Sequence, residues 1–112
     1  MNPEMLKGHL DTIVLSVIDT GAGYGYAIMK EISRRSQNMI DLPGGTIYPT
    51  LHRLENNGLI ASSWELAPSG RKRRIYALTD AGKTQLRERC DHWKTFVAAI
   101  DLLLFEPVKS KI

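Results

Sequence analysis

The sequence contains one cysteine, Cys90, among its 112 residues, and therefore cannot form an internal disulfide. This scarcity is typical of a reducing compartment. Long apolar runs are missing as well: the longest, over residues 96–105, is interrupted by Asp101 and falls short of the about 20 residues that span a bilayer. The N-terminal residues show no secretory signal pattern. From these absences we expect a cytoplasmic protein that does not enter a membrane.

Side chains suited to catalysis or metal binding are few and scattered. The three histidines, at positions 9, 52 and 92, fall on three different predicted elements. Cys90 and His92 would lie about 200° apart on a helix, too far round to chelate one metal. The glycines at 21, 23 and 25 follow a helical pattern and lack the spacing of a nucleotide-binding loop. The sequence therefore predicts no enzyme, no cofactor and no metal site.

The positive charge of the chain is concentrated in one region. Residues 69–94 contain eight Lys or Arg against three Asp or Glu, whereas residues 1–68 contain five against seven. A localised excess of cations is typical of a surface that binds a polyanion such as nucleic acid.

Residues 45–60 predict one short helix, and the sequence carries a signal for its start and another for its end. Thr46 can act as the N-cap, Pro49 would then lie in the first turn, and Gly58 provides a left-handed exit. Gly44 and Gly45 are expected to break the preceding structure. The helical period separates a polar face from an apolar stripe made of Ile47, Leu51 and Leu54.

Two helical patterns precede this stretch. Apolar residues recur at helical spacing from Met5 to Ile18, which predicts one continuous first helix. A shorter pattern from Tyr24 to Ile32 predicts a second helix, and Pro43 prevents the connector that follows from being helical.

A hairpin follows the third predicted helix. Residues 59–67 and 73–79 are rich in strand-forming side chains, and a Pro-Ser-Gly turn separates them. A helix followed directly by a hairpin indicates a winged helix-turn-helix, in which the helix enters the major groove of DNA. The predicted hairpin tip carries four cations: Arg71, Lys72, Arg73 and Arg74. Such a run is often only solvated charge, but beside a recognition helix we expect it to bind backbone phosphates.

The last predicted helix begins after Thr79, its N-cap. Its apolar residues recur at steps of four and three, which is the pattern of a coiled-coil seam. We expect this seam to form a dimer through Leu86, Cys90, Trp93, Val97, Ile100 and Leu104. Further apolar residues widen the surface, so the helix is expected to pack on the first helix and on a second subunit.

Together these patterns resemble the PadR-like family of transcriptional regulators over about residues 5–105. The resemblance is carried by Leu6-Lys7-Gly8, Gly25-Tyr26, Gly45-Thr46-Ile47-Tyr48-Pro49, Leu51-x-Arg53-Leu54-Glu55, Gly58-Leu59-Ile60 and Arg73-x-x-Tyr76-x-Leu78-Thr79-x-x-Gly82. It departs from the usual pattern at Tyr24, where members often have His, and at Ile47, where Leu is usual.

The resemblance implies an α+β, mostly α, winged helix-turn-helix of three helices, a two-stranded wing and a long C-terminal helix. It implies a homodimeric repressor that binds a pseudo-palindromic operator in duplex DNA. Residues 1–78 would form the DNA-binding domain, and residues 79–112 the dimerisation helix and tail of the same compact unit.

Besides the wing cations, the expected DNA contacts are Tyr24, Thr46, Tyr48, Pro49, His52 and Arg53. Arg53 could instead pair with Glu55 or Glu31 and stabilise the fold, an alternative that the sequence leaves open. The rival function is a winged-helix protein-interaction module without sequence-specific DNA binding. Four adjacent cations on the hairpin argue against that rival.

Two residues of the seam admit two interpretations each. Trp93 is either an apolar anchor of the dimer or a wall of a pocket between subunits that stacks a flat aromatic effector, as ligand-responsive members of the family suggest. Cys90 is either a small core residue or a thiol sensor.

Overall fold

A computed structural model describes residues 1–106 and shows a mostly helical chain with one antiparallel hairpin. Its elements in chain order are α1 (Pro3–Leu6), α2 (Leu10–Asp19), α3 (Gly25–Arg35), α4 (Gly44–Asn56), β1 (Ile60–Leu66), β2 (Lys72–Leu78) and α5 (Asp80–Leu104). In the hairpin, Ile60 lies opposite Leu78 and Leu66 opposite Lys72. This arrangement confirms the predicted winged helix-turn-helix.

The core is one cluster of aliphatic side chains contributed mainly by α2, α3 and α4. Each of these helices turns one apolar stripe inward, as the helical period predicts. The predicted stripe of α4 is confirmed, because all three of its side chains are fully buried. Ile60 closes the cluster on the side of the hairpin and Leu86 on the side of α5.

The predicted continuous first helix is wrong. Gly8 adopts φ +88° and separates α1 from α2, which begins at Leu10. That backbone conformation is readily available only to glycine. The apolar spacing continues across the break because Leu6 of α1 and Val14 of α2 are buried in the same core.

The predicted N-cap at Thr46 is also wrong. Helix α4 begins at Gly44 with Pro43 as its N-cap, so the two glycines form its first turn instead of breaking the chain. The Pro43 carbonyl accepts hydrogen bonds from the backbone N–H groups of Thr46 and Ile47 at 2.9 and 3.0 Å. Pro49 is therefore the sixth helical residue, and it lies on the exposed side of the helix.

The predicted exit from α4 and the predicted cap of α5 are confirmed. Gly58 adopts φ +75°, and the Leu59 N–H donates to the Leu54 carbonyl at 3.0 Å. The Thr79 hydroxyl accepts a hydrogen bond from the Gly82 N–H at 3.0 Å and donates to the Gly58 carbonyl at 2.7 Å. The start of α5 is thus joined to the end of α4.

Helix α5 has 25 residues and is about 37 Å long at 1.5 Å per residue. Its N-terminal half packs on α2, as expected, and buries Leu86. Beyond that point none of its side chains is fully buried, and its last three residues and the C-cap expose four apolar side chains: Leu102, Leu103, Leu104 and Phe105. The tail that the sequence assigns to the dimerisation segment, residues 107–112, lies outside the described residues.

Candidate nucleic-acid interface

The exposed face of α4 carries the side chains that the sequence predicts as DNA contacts. Tyr48 is 52% exposed, and Pro49, His52 and Arg53 are exposed beside it. Thr46 is half-buried, and its carbonyl accepts a hydrogen bond from the hydroxyl of the buried Thr50 at 2.8 Å. The helix therefore combines a fixed apolar side with a polar side open to a partner.

Tyr48 rests on two glycines. A Cβ atom at Gly25 would lie 2.5–2.7 Å from two ring carbons and the hydroxyl oxygen of Tyr48, and one at Gly44 would lie 3.3 Å from the ring. Contacts below 3.0 Å are not tolerated between carbon atoms, so the ring occupies space that only glycine leaves free. Gly25 therefore sets where the Tyr48 ring lies, which the sequence alone did not indicate.

Arg53 pairs with neither of the two carboxylates considered from the sequence. Its guanidinium donates to Asp11 on α2, and Asp11 also lies 3.6 Å from Arg89 on α5. Glu31 instead accepts hydrogen bonds from Arg34, which lowers the pKa of the Glu31 carboxyl. The partner of Arg53 is 42 residues away in the chain, so no local pattern could have indicated it.

The four predicted wing cations are not equivalent. Lys72, Arg73 and Arg74 lie within β2, and only Arg71 belongs to the turn. Arg73 donates two hydrogen bonds to the Glu65 carboxylate, at 2.7 and 2.9 Å, which raises the pKa of the Arg73 guanidinium. The same guanidinium lies 3.8 Å from the centre of the Tyr24 ring. Tyr24 therefore contacts the wing through Arg73.

Arg74 joins the wing to α4. It donates to the Ser62 hydroxyl at 2.9 and 3.1 Å and lies 3.6 Å from the Glu55 carboxylate. Its guanidinium is 5.2 Å from the centre of the Trp64 ring, which is 62% exposed. Among residues 1–106, Arg71 and Lys72 have no ion-pair partner, and both are exposed.

The side chains that hold these cations were not predicted from the sequence. Glu65 and Trp64 lie directly across the hairpin from Arg73 and Arg74. Opposite charges that face each other across antiparallel strands stabilise the pair, so counting outward from the turn could have found the pair of Glu65 and Arg73. Ser62 lies diagonally across the hairpin from Arg74, whereas Glu55 meets Arg74 only through the packing of the hairpin against α4.

The predicted seam residues of α5 are mostly accessible in the single chain. Leu86 is buried, Val97 and Ile100 are half-buried, and three others are exposed: Cys90, Trp93 and Leu104. Cys90 is thus not a core residue of one chain. Trp93 is 49% exposed, and its ring meets that of His9 edge-on at 5.3 Å.

Trp93 lies at one wall of a groove of about 660 Å³ between the N-terminal residues and α5. The groove is mostly apolar, and its lining includes Met5, Ile13, Phe96 and Arg89. The Nε atom of Arg89 is buried and has no hydrogen-bond partner among the described residues.

No helix within residues 1–106 combines the length and the apolar character needed to cross a membrane. Over the same residues, His, Cys, Asp and Glu side chains nowhere form a group of three that could bind a metal ion.

This chain is similar to known proteins in both sequence and structure. Residues 14–88 match the family described as transcriptional regulator PadR-like. An uncharacterised protein of Lysinibacillus sphaericus is 35% identical over 101 residues, covering 90% of this chain and 93% of that protein. Among solved structures, a transcriptional regulator from Clostridium thermocellum has a TM-score of 0.82 at 28% identity, covering 93% of this chain and 98% of the other. A PadR-like transcriptional regulator from Bacillus cereus has a TM-score of 0.79 at 30% identity, covering 93% and 99%.

Proposed function

Because this chain belongs to the PadR-like family of transcriptional regulators, we propose that it is a homodimeric repressor that binds a pseudo-palindromic operator. The family confirms the resemblance inferred from the motifs, and it makes the protein a transcriptional regulator and not an enzyme.

The observation that carries DNA recognition is the division of α4 into two faces. Ile47, Leu51 and Leu54 are fully buried, while Tyr48 and His52 on the other side are exposed. A helix held by one face and polar on the other suits insertion into the major groove, where base edges present distinct donor and acceptor patterns. We propose that Tyr48 and His52 contact base edges and that Thr46, Pro49 and Arg53 lie against the neighbouring backbone.

The wing cations divide into two roles in this proposal. Arg71 and Lys72 bind phosphates, because they are exposed and have no ion-pair partner in the described part of the chain. Arg73 and Arg74 hold the wing in place, because Arg73 pairs with Glu65 and Arg74 reaches α4. The Tyr24 ring packs against the Arg73 guanidinium, so Tyr24 affects DNA binding only by holding the wing in place.

A salt titration of duplex binding tests this division. Replacing both Arg71 and Lys72 with Gln should weaken binding to operator and random duplexes alike and reduce the slope of log K against log salt by about 1.8, or about 0.9 per phosphate contact. Arg87 and Lys94 of α5 are exposed and offer a matched control, since Arg87→Gln with Lys94→Gln removes the same charge. An equal change of slope in both double variants would contradict the assignment of phosphate binding to the wing.

The rival function, a protein-interaction module, is tested by the unchanged protein in the same titration. A regulator that binds DNA through α4 should bind duplexes with a steep salt dependence and should prefer its operator. His52→Ala should then reduce the preference for operator more than the affinity for random duplexes. A protein with no salt-dependent duplex binding would support the rival.

The proposed dimer rests on the apolar surface of α5. Beyond Leu86 this helix exposes Trp93, Phe96 and the apolar side chains at its end. Contiguous exposed apolar surface of this kind marks an interaction site. A second copy packed by a two-fold axis would cover it and would place one recognition helix on each half-site. In this arrangement residues 79–106 dimerise and residues 1–78 bind DNA.

The proposed effector site is the groove beside Trp93. Its mostly apolar lining and the half-exposed indole suit a flat aromatic molecule, which would stack on the ring. A ligand that favours one angle between the two subunits would change the spacing of the recognition helices and so release the operator.

A further inference from the structure

One carboxylate, Asp11 of α2, lies between two arginines from different helices. Its Oδ1 atom accepts a hydrogen bond from Nη2 of Arg53 on α4, and its Oδ2 atom is 3.6 Å from Nη2 of Arg89 on α5. Arg89 also donates to the Thr12 hydroxyl at 3.5 Å. The three charged residues join the helix that faces DNA in the proposed function to the helix that carries the proposed dimer seam.

The three side chains are exposed to solvent to different extents, and this difference decides which of them can reach DNA. The side chain of Asp11 is 19% exposed and that of Arg89 is 27% exposed, whereas that of Arg53 is 50% exposed. Asp11 and Arg89 are therefore fixed by their surroundings. Arg53 is the member whose guanidinium can turn outward to another anion.

Two cations that share one carboxylate weaken each other's hold on it. Arg89 repels Arg53 and offsets part of the negative charge of Asp11, so the attraction of Asp11 for Arg53 is smaller while Arg89 is present. If the charge of Arg89 were removed, or its guanidinium moved away, Arg53 would be the one cation paired with Asp11, and the attraction between these two side chains would be stronger.

We propose that Asp11 holds Arg53 back from DNA phosphate and that Arg89 sets how firmly it does so. Asp11 is in this account a positioning residue, since it acts on DNA only through Arg53. The inference rests on the proposed function, in which the exposed face of α4 meets DNA. It adds a route by which the α5 side of the molecule affects α4, because Arg89 also lines the groove beside Trp93.

Duplex binding by single variants at several salt concentrations tests the proposal. Arg53→Met should weaken binding and reduce the salt slope by about 0.9, as expected for one lost phosphate contact. Asp11→Asn keeps the shape of the side chain and should tighten binding about two- to five-fold, the range that corresponds to a partly exposed ion pair. In the Arg53→Met background, Asp11→Asn should have no such effect.

Arg89→Met tests the second half of the proposal independently of Asp11→Asn. It should weaken binding about two-fold more than Arg87→Met, a matched loss of charge at an exposed position of the same helix. The difference between the two α5 variants should vanish in the Asp11→Asn background, because no carboxylate is then left for Arg53 to return to.

The outcomes separate this inference from the proposed function. Unchanged duplex binding by Arg53→Met would refute the inference, whereas a loss of operator preference in His52→Ala would still support the placement of α4 in the DNA interface. Weaker binding by Arg53→Met, together with unchanged or weaker binding by Asp11→Asn, would refute the inference alone, provided that thermal unfolding shows the variant to be folded. If Asp11→Asn does not fold, equal binding by Arg89→Met and Arg87→Met would still refute it.

Discussion

The junction between α4 and α5 makes a quantitative prediction, because Gly82 has no room for a side chain. A Cβ atom at this position would overlap the carbonyl oxygen of Leu59 and lie 3.0 Å from its carbonyl carbon. Both atoms belong to the backbone, so the clash cannot be relieved by rotating a side chain. The start of α5 would have to move away from the end of α4 and β1.

That movement would strain the hydrogen bonds that join the two segments. The Thr79 N–H donates to the Leu59 carbonyl at 3.1 Å, and the Thr79 hydroxyl donates to the Gly58 carbonyl at 2.7 Å. Overpacking costs about 1–3 kcal/mol, and each weakened hydrogen bond costs about 1 kcal/mol. The better helix propensity of alanine offsets about 1 kcal/mol of this loss of stability. We therefore expect Gly82→Ala to lower the free energy of unfolding by about 2–4 kcal/mol, or Tm by roughly 10–15 °C.

Thermal and denaturant unfolding at one fixed protein concentration measure this effect, since association would otherwise shift the apparent stability. Gly45→Ala is the matched control: Gly45 is helical and exposed, and a Cβ there would have no neighbour within 4 Å. It should leave stability unchanged or raise it by up to about 1 kcal/mol. Equal stability of the two variants would show that α5 is not fixed against Leu59.

Three further predictions concern the proposed dimer, effector site and recognition helix. Val97→Asp with Ile100→Asp should give monomer or unfolded chain in sedimentation, because a dimer would bury unpaired charge; a folded dimer would refute the seam. A planar aromatic dye should quench tryptophan fluorescence, and Trp93→Ala should abolish that binding in a variant that remains folded; equal quenching in this variant would exclude the site. Gly25→Ala should displace the half-exposed Tyr48 ring and reduce operator preference with little loss of stability, whereas unchanged preference would exclude Tyr48 as a base contact.

From α3 onwards the sequence by itself determined the order and type of the elements, because each depends on residues close together in the chain. The spacing of the apolar residues in α4 follows from one helical period, and all three predicted residues are buried. The exit at Gly58 and the cap at Thr79 follow from backbone requirements within a few residues. The family motifs lie on these same local features.

The sequence could not decide between two local structures where both were compatible with the same pattern of residues. The apolar period from Met5 to Ile18 is compatible with one helix, yet the chain turns at Gly8 because both halves bury their side chains in a shared core. Thr46 with a proline three residues later suggests an N-cap, but α4 begins at Gly44, where a Cβ atom would lie 3.3 Å from the Tyr48 ring.

Only the tertiary structure decided what each charged side chain does. Charge counting treats Arg71 and Arg73 alike, whereas the hairpin register gives Arg73 a carboxylate and the fold leaves Arg71 exposed. Arg53 finds its partner Asp11 across 42 residues of chain. The energy of an ion pair depends on the distance and the surrounding solvent, and both are set by the packing of separate elements against one another.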